Sequence, residues 1–528
     1  MAIESNLGKE PNRLKEAMSD PETFCITWEQ VAGRGAFEKQ QEVILENARR
    51  AAKSRQIHGI SVTDNPSGNP AIATEMLCSE IKKLGIEPLV HLALRDKNRN
   101  EVESLLYGLA AAGVRNILVL SGDYPAEGGF SGKAKPVFDL DPTHVMQLID
   151  IMNKGLEYEA LGRKTVLMPT DFFAGVAASP FKKLEAELMC QYYKLGKKIK
   201  GGARFIISQL GYDARKMHEL LQWLRVNDYS VPVLANIYVL NYPAAKLMNG
   251  NQIPGCVVTD KLLAQLTEER QAEDKGKSAR LLRAAKMYAL AKGMGYAGAH
   301  IGGYGLSYEM VEDIIEKGEQ LLPDWQSLVA EFDYPQNEGF YFFEKDPETG
   351  LNLDKPAPRL AKGSKPLIYR FSRIFHEAFF EPRHPFFRLY QRLAGRTDSS
   401  RWLKRLSTYF EHLSKVALFS CQNCGDCALF DAAYLCPTSQ CPKNERIGPC
   451  GGSFEGWCEV YPNERQCIWV RAYNRLKGYK KEDSIGAYTS PPYNWDLWQT
   501  SSWLNFYLGR DHTARRLGVK APQKPEKK

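Results

Sequence analysis

From residue 20 to about residue 320 the chain alternates short apolar, β-rich runs with stretches of helical periodicity. The strand-like runs are TFCITWE, HGISVT, PLVHLAL, NILVLS, TVLMP, RFIISQ, PVLANIYVL and GAHIGG. Between them lie amphipathic segments at 37–53, 71–84, 101–112, 183–200 and 214–224. Apolar strands joined by helical crossovers are parallel and covered on both faces. Eight such units in about 300 residues predict a closed (β/α)8 TIM barrel over 1–325. A doubly wound open sheet, with fewer strands, is the structural alternative.

The pattern changes after the barrel. QNEGFYFFEKDPETGLNLDKPAP is turn-rich and reads as part of a linker over 326–364. IYRFSRIFHEAFFEPRHPFFRLYQRLAG follows, basic and aromatic at helical spacing. It reads as a pair of helices that pack against the barrel or the metal domain; the sharper reading is a surface for an acidic partner or nucleic acid. Residues 365–528 form a small cysteine-rich domain with these helices and a tail.

Composition narrows the field. At 528 residues the chain is too long for one core, and 44% hydrophobic with 25% charged residues is ordinary for a globular protein. No apolar stretch is long enough to span a bilayer, and the polar start MAIESNLGKEPNRLKEAM has no secretory h-region. A cytoplasmic protein without a membrane or nucleic-acid partner is expected. The net charge of +8 is modest, gathered mainly between Arg359 and Arg405 and in KAPQKPEKK, a solvated end. Of twelve cysteines, eight lie between Cys421 and Cys467, a density that in a reducing compartment points to metal. Cys25, Cys78, Cys190 and Cys256 read as buried small side chains.

A barrel of this kind works at the C-terminal ends of its strands. Those ends carry Thr27-Trp28-Glu29, Thr63 to Gly68, His91, Ser121-Gly122-Asp123 and Ser208-Gln209. Each could be a turn former on its own; their gathering at one mouth suggests chemistry.

The order and spacing of Glu29, Ser61-Val62-Thr63, His91-Leu92, NILVLSGDYP, Lys198, Gly201-Gly202-Ala203, Gln209 and Asp213 resemble the methylenetetrahydrofolate reductase family over residues 20–320. The resemblance implies a flavin, FAD or FMN, and reduction of 5,10-methylenetetrahydrofolate to 5-methyltetrahydrofolate, or the reverse. Glu29 would be the general acid, a partly buried carboxyl with a raised pKa. Asp123 would lie beside the flavin and steady positive charge on the folate, and Gln209 would bind the pterin. Thr63, His91 and Lys198 would contact the cofactor. The chain departs from the family pattern at Thr-Trp-Glu-Gln-Val-Ala, at Ser-Gly-Asp, at PTDFFAGVAASP and at ANIYVLNYPAAK.

The cysteines run C-x2-C-x2-C at Cys421, Cys424 and Cys427, then Cys436, Cys441, Cys450, Cys458 and Cys467. A tight triplet with a distant Cys-Pro suits a [4Fe–4S] cluster; paired knuckles would suit zinc, and eight thiolates could hold two sites. CGDC, CPTSQCPK, GPCGGS and TSSWLNFYLGRDH resemble the C-terminal domain found with some reductases of anaerobic one-carbon metabolism. That resemblance implies an electron relay or structural metal domain, with NAD(P)H, a ferredoxin-type donor or redox subunits as partners. Two other readings stay open: a pterin-binding methyltransferase acting with a corrinoid protein, and an interaction scaffold built on the metal domain.

Overall fold

The computed structural model describes residues 11–129 and 131–521. The first residues of the polar start and most of KAPQKPEKK lie outside them. The chain divides into two units, Met1–Leu360 with Gly451–Glu455, and Ala361–Cys450 with Gly456–Lys528.

The first unit is a closed eight-stranded parallel barrel. Its strands are β1 (Cys25–Gln30), β2 (Gly59–Val62), β3 (Glu87–Ala93), β4 (Asn116–Leu120), β5 (Phe173–Ala178), β6 (Phe205–Ser208), β7 (Val233–Tyr238) and β8 (Gly298–Gly302). Neighbours in sequence are neighbours in space, and β8 closes on β1 with Thr27 opposite His300. The strands are almost wholly buried, so their runs are continuously apolar instead of alternating.

A short helix, α1 (Arg13–Ser19), closes the end where the strands begin. Its Leu14, Ala17 and Met18 pack with Cys25, Leu89, Phe173, Phe205 and Leu234. The Asn12 side chain caps α1 and donates to Asn116 Oδ1 at 2.8 Å. The other end is left for function.

One strand differs from the sequence expectation. TVLMP does not enter the barrel: Arg163–Val166 pairs antiparallel with Glu157–Ala160 in an exposed hairpin. The fifth strand is FAGVAA, whose small residues give a weak apolar signal. They are needed there, because a Cβ on Gly175 would stand 2.4 Å from the Phe205 ring.

The linker reading over 326–364 also changes. Residues 343–345 and 352–356 form a hairpin with Phe340 and Phe343 buried. It is tied to the helix Ala214–Val226: Arg215 donates to the Phe343 carbonyl and Lys216 to the Phe340 carbonyl, both at 2.7 Å, and Gln222 donates to the Leu353 carbonyl. The segment is a strap on the barrel unit up to Leu360.

The second unit is helical. Helices α2 (Leu367–Phe379), α3 (Phe387–Ser399) and α4 (Arg401–Phe419) precede the cysteine loops. A buried charge network holds those loops. His512 shares hydrogen bonds with Asp426 (2.6 Å) and Asp431 (2.7 Å), and Arg446 pairs with Asp426 at 3.3 Å. The partners hold the Asp426 carboxyl well below the usual range despite its burial, and the two carboxylates raise His512 although burial pushes it down.

Candidate active site

Three elements at the open end of the barrel converge on one point. Glu29 stands near the end of β1, His91 in β3 and His300 in the middle of β8. One ligand-type atom from each lies within 4.8 Å of the other two. Thr27 Oγ1 and His300 Nδ1 share a hydrogen bond of 2.8 Å, and His300 Nε2 reaches Glu29 Oε2 at 3.4 Å. Thr27, His300 and Glu29 therefore form one hydrogen-bonded line from the barrel interior to the mouth. Gly302 makes room for it: a Cβ there would stand 3.2 Å from Glu29 Oε1.

The electrostatics of this line correct one expectation. Burial pushes the Glu29 carboxyl up, but the His300 hydrogen bond and the two imidazoles outweigh it, and its pKa lies below the ordinary value. Glu29 is thus a carboxylate in the free barrel, not a carboxylic acid. Burial lowers His91 to about 4, so it stays neutral at pH 7.

Around the line, buried polar atoms lack partners. Ser61 Oγ, Thr63 Oγ1 and His91 Nε2 are shielded from solvent and accept or donate no hydrogen bond. Unsatisfied buried groups cost free energy, so a cluster of them at a barrel mouth marks a place for a polar ligand. Thr63 and His91, assigned to cofactor contact from the sequence, meet here. Asp123 is exposed on the loop after β4, where its charge, with that of Glu29, is felt by Cys256. Burial pushes the Cys256 thiol up to about 12.

The loops after β2, β3 and β4 are laced together. Asp64 accepts from Ala93 N (3.0 Å) and pairs with Lys97 (2.8 Å), while buried Arg95 donates to the carbonyls of Asn65 and Asp123. Gln209 follows β6, and its Oε1 accepts from Leu210 N at 2.9 Å. Lys198 is engaged otherwise: its ammonium donates to the Ala177 carbonyl at 2.8 Å. Asp213 caps the helix Ala214–Val226, accepting from Arg215 N and the Tyr341 hydroxyl. His300 was not singled out from the sequence, and Thr27 and Ser61 were named there without a role of their own. A histidine inside the apolar run GAHIGG was the available signal.

In the second unit the cysteines fall into two groups. Cys421, Cys424, Cys427 and Cys436 line one small cavity, with Lys415 donating to Cys427 Sγ at 3.5 Å. Cys441 lies close enough to Cys450 and to Cys467 for their charges to act on one another, and a bridge between Trp457 and Gln466 sets Cys458 beside the Cys467 segment. No disulfide forms. Burial pushes Cys424 up to about 11 and Cys427 to about 12, so these thiols are unreactive unless a metal displaces their protons. Among the described residues no three of these cysteines have their sulfurs all within 4.8 Å of one another.

The fold and the mouth define a (β/α)8-barrel enzyme whose polar groups converge where the strands end. The chain belongs to the methylenetetrahydrofolate reductase family, a family of folate-metabolising enzymes, which matches residues 13–303. Residues 402–496 match the domain described as methylene-tetrahydrofolate reductase C terminal. No curated protein matches the chain. Among solved structures it is similar to an uncharacterized protein from Clostridium thermocellum that binds two copies of 5-methyl-5,6,7,8-tetrahydrofolic acid. That similarity has 14% identity and a TM-score of 0.40, over 59% of this chain and 99% of that one. It is also similar to a 2,3-dimethylmalate lyase of the PEP mutase/isocitrate lyase superfamily. Here the identity is 12% and the TM-score 0.32, over 59% of this chain and 85% of that one.

Proposed function

We propose that the barrel interconverts 5,10-methylenetetrahydrofolate and 5-methyltetrahydrofolate with a bound flavin, and that the C-terminal unit carries [4Fe–4S] clusters that exchange electrons with it. The Thr27–His300–Glu29 line beside the unpartnered Ser61, Thr63 and His91 atoms carries this reading.

Opening the methylene bridge leaves a ring nitrogen that must gain a proton, and Glu29 at the end of the hydrogen-bonded line is the group to deliver it. In the free barrel Glu29 is held as a carboxylate, so the proton is drawn from solvent. Burial is the largest influence on Glu29 and acts to raise it. A pterin seated over the mouth excludes water and adds to that influence, so the proton moves onto Glu29 next to the nitrogen that needs it. Asp123, exposed on the loop after β4, would offer negative charge to the positive charge of the opened iminium. Gln209 offers an amide to the pterin edge.

A flavin fits the donor set: Thr63 and His91 would hold it through the buried atoms that now lack partners. When bound it supplies a hydride acceptor and donor that no side chain can provide. In the second unit, the four cysteines around one cavity would supply the four thiolates that a [4Fe–4S] cluster takes.

The test is anaerobic. The purified protein is chemically reduced, freed of reductant and mixed with methylenetetrahydrofolate while the flavin absorbance is followed. Reoxidation with formation of methyltetrahydrofolate is expected. A protein without a flavin band, or with a reduced flavin indifferent to the folate, overturns the reading.

A further inference from the structure

Helix α4 is built inside out. The residues it buries are Glu411 and Lys415, an ion pair that also engages Ser501 and Ser502. Its apolar residues Trp402, Leu406, Tyr409, Leu413 and Val416, spaced four and three apart on one face, are exposed, Trp402 by 67% and Tyr409 by 63%. A water-facing helix ordinarily has the opposite polarity.

The two preceding helices also leave apolar residues exposed. On α2, Leu367, Phe371 and Ile374 face outward while Tyr369 and Ser372 are buried. At α3, the N-cap Phe386 and the helical Leu389 and Leu393 are exposed, and Phe387 and Ala394 are buried. A cavity of about 240 Å³, lined by Phe371 and Phe375 of α2 and by Leu418 and Phe419 of α4, lies between them. The expectation that these aromatics pack inward holds for Phe375, Phe380 and Phe387 and fails for the outer stripes.

Charge identifies what covers this face. Between residues 367 and 419 the seven exposed cations are all arginines, from Arg370 to Arg405, and the one exposed carboxylate is Glu377. Clustered arginine interleaved with Trp, Tyr, Phe and Leu on helices too polar to span a bilayer matches an anionic lipid interface. There the apolar stripe enters the acyl boundary and the guanidinium groups meet phosphates. Among the described residues no helix is long and apolar enough to cross a membrane, so such contact is peripheral. We propose that α2, α3 and α4 form a face that docks on an anionic membrane surface, in place of the sequence expectation of no membrane partner.

The full-length protein is floated with vesicles of phosphatidylcholine alone and of phosphatidylcholine mixed with phosphatidylglycerol, at low and high salt. Binding to the anionic vesicles only, weakened by salt, is expected. The triple variant Arg388→Glu, Arg392→Glu, Arg396→Glu should lose at least roughly 100-fold in partitioning. Leu406→Glu with Leu413→Glu should lose on the order of 100-fold. All five positions are exposed, so the variants should keep the wild-type circular dichroism. A protein that floats with neither vesicle overturns the proposal. So does equal binding to both vesicles, since the charge argument would then be wrong. Self-association abolished by Leu406→Glu without vesicle binding also overturns it and makes a second copy the occupant.

Discussion

Replacing Glu29 by Gln tests the proton line with little change of shape. The amide keeps the length of the side chain, can still meet His300 Nε2 near the present 3.4 Å, and needs the same clearance at Gly302. What it lacks is a titratable proton. A positioned general acid contributes roughly 10²- to 10⁴-fold, about 3 to 5.5 kcal/mol of barrier, and the loss should fall in the chemical step. Single-turnover oxidation of the chemically reduced protein by methylenetetrahydrofolate should therefore slow by that factor, while the folate dissociation constant changes by less than about tenfold. Wild type should also take up protons from a weakly buffered indicator solution near pH 7 when the folate binds. Glu29 is a carboxylate before binding, and burial by the ligand raises it. Glu29→Gln should not. If Glu29→Gln turns over within tenfold of wild type, or takes up the same proton, the acid lies elsewhere and the mechanism fails.

Other outcomes follow from the same contacts. His300→Asn removes the hydrogen bond and charge that hold Glu29 down, leaving burial to dominate; the pH dependence of the reductive step should shift to higher pH, read from a pH–rate profile. Anaerobic protein should contain about eight irons per chain if both cysteine groups hold cubanes, and Cys424→Ser or Cys441→Ser should each remove about four, read by metal analysis. His512→Gln should destabilise the second unit by roughly 3 to 5 kcal/mol, because it strips a buried partner from Asp426 and Asp431. His512 is raised in the fold, so its contribution is complete below the unfolded value of about 6.5 and is lost as pH climbs through the folded value. Asp426 is held low, so its contribution is present above about 4 and lost on acidification. The melting temperature should thus fall above about pH 6.5 in wild type and lose that slope in the variant.

The barrel was legible because a parallel strand buried on both faces leaves a continuous apolar run, and seven of eight runs did so. FAGVAA did not, since packing Phe205 against Gly175 requires small residues that carry little hydrophobic signal. TVLMP, more apolar, took its place in the count while lying exposed in a hairpin. At the mouth, polar residues toward or just past the C-terminal ends of the strand-like runs could be found by position alone, which is why Glu29, Thr63 and His91 were. His300 sits within its strand, and its link to Glu29 depends on the closure of β8 onto β1, a contact across 271 positions that no local pattern records. The sign of the Glu29 shift was illegible for the same reason: the carboxyl alone suggested burial, and the imidazoles that reverse its effect come from two other strands.

The helices before the cysteines show a different limit. Periodicity reports that a helix has two faces and says nothing about which one turns inward. In α4 the inward face is chosen by Glu411, whose carboxylate accepts hydrogen bonds from Ser501, Ser502 and the Trp503 backbone, and by Lys415, which reaches Ser502 and Cys427. These partners lie about 90 residues downstream or inside the cysteine loop, so they exist only once the second unit has folded. A cation held against Cys427 also favours the thiolate that burial alone would suppress, which gives the polar face a reason to point toward the cysteines. The apolar stripe is then left outside by necessity. Its exposure is the consequence of building a charged wall for the cysteine cavity, and a lipid surface lined with phosphates meets both the stripe and the arginines around it.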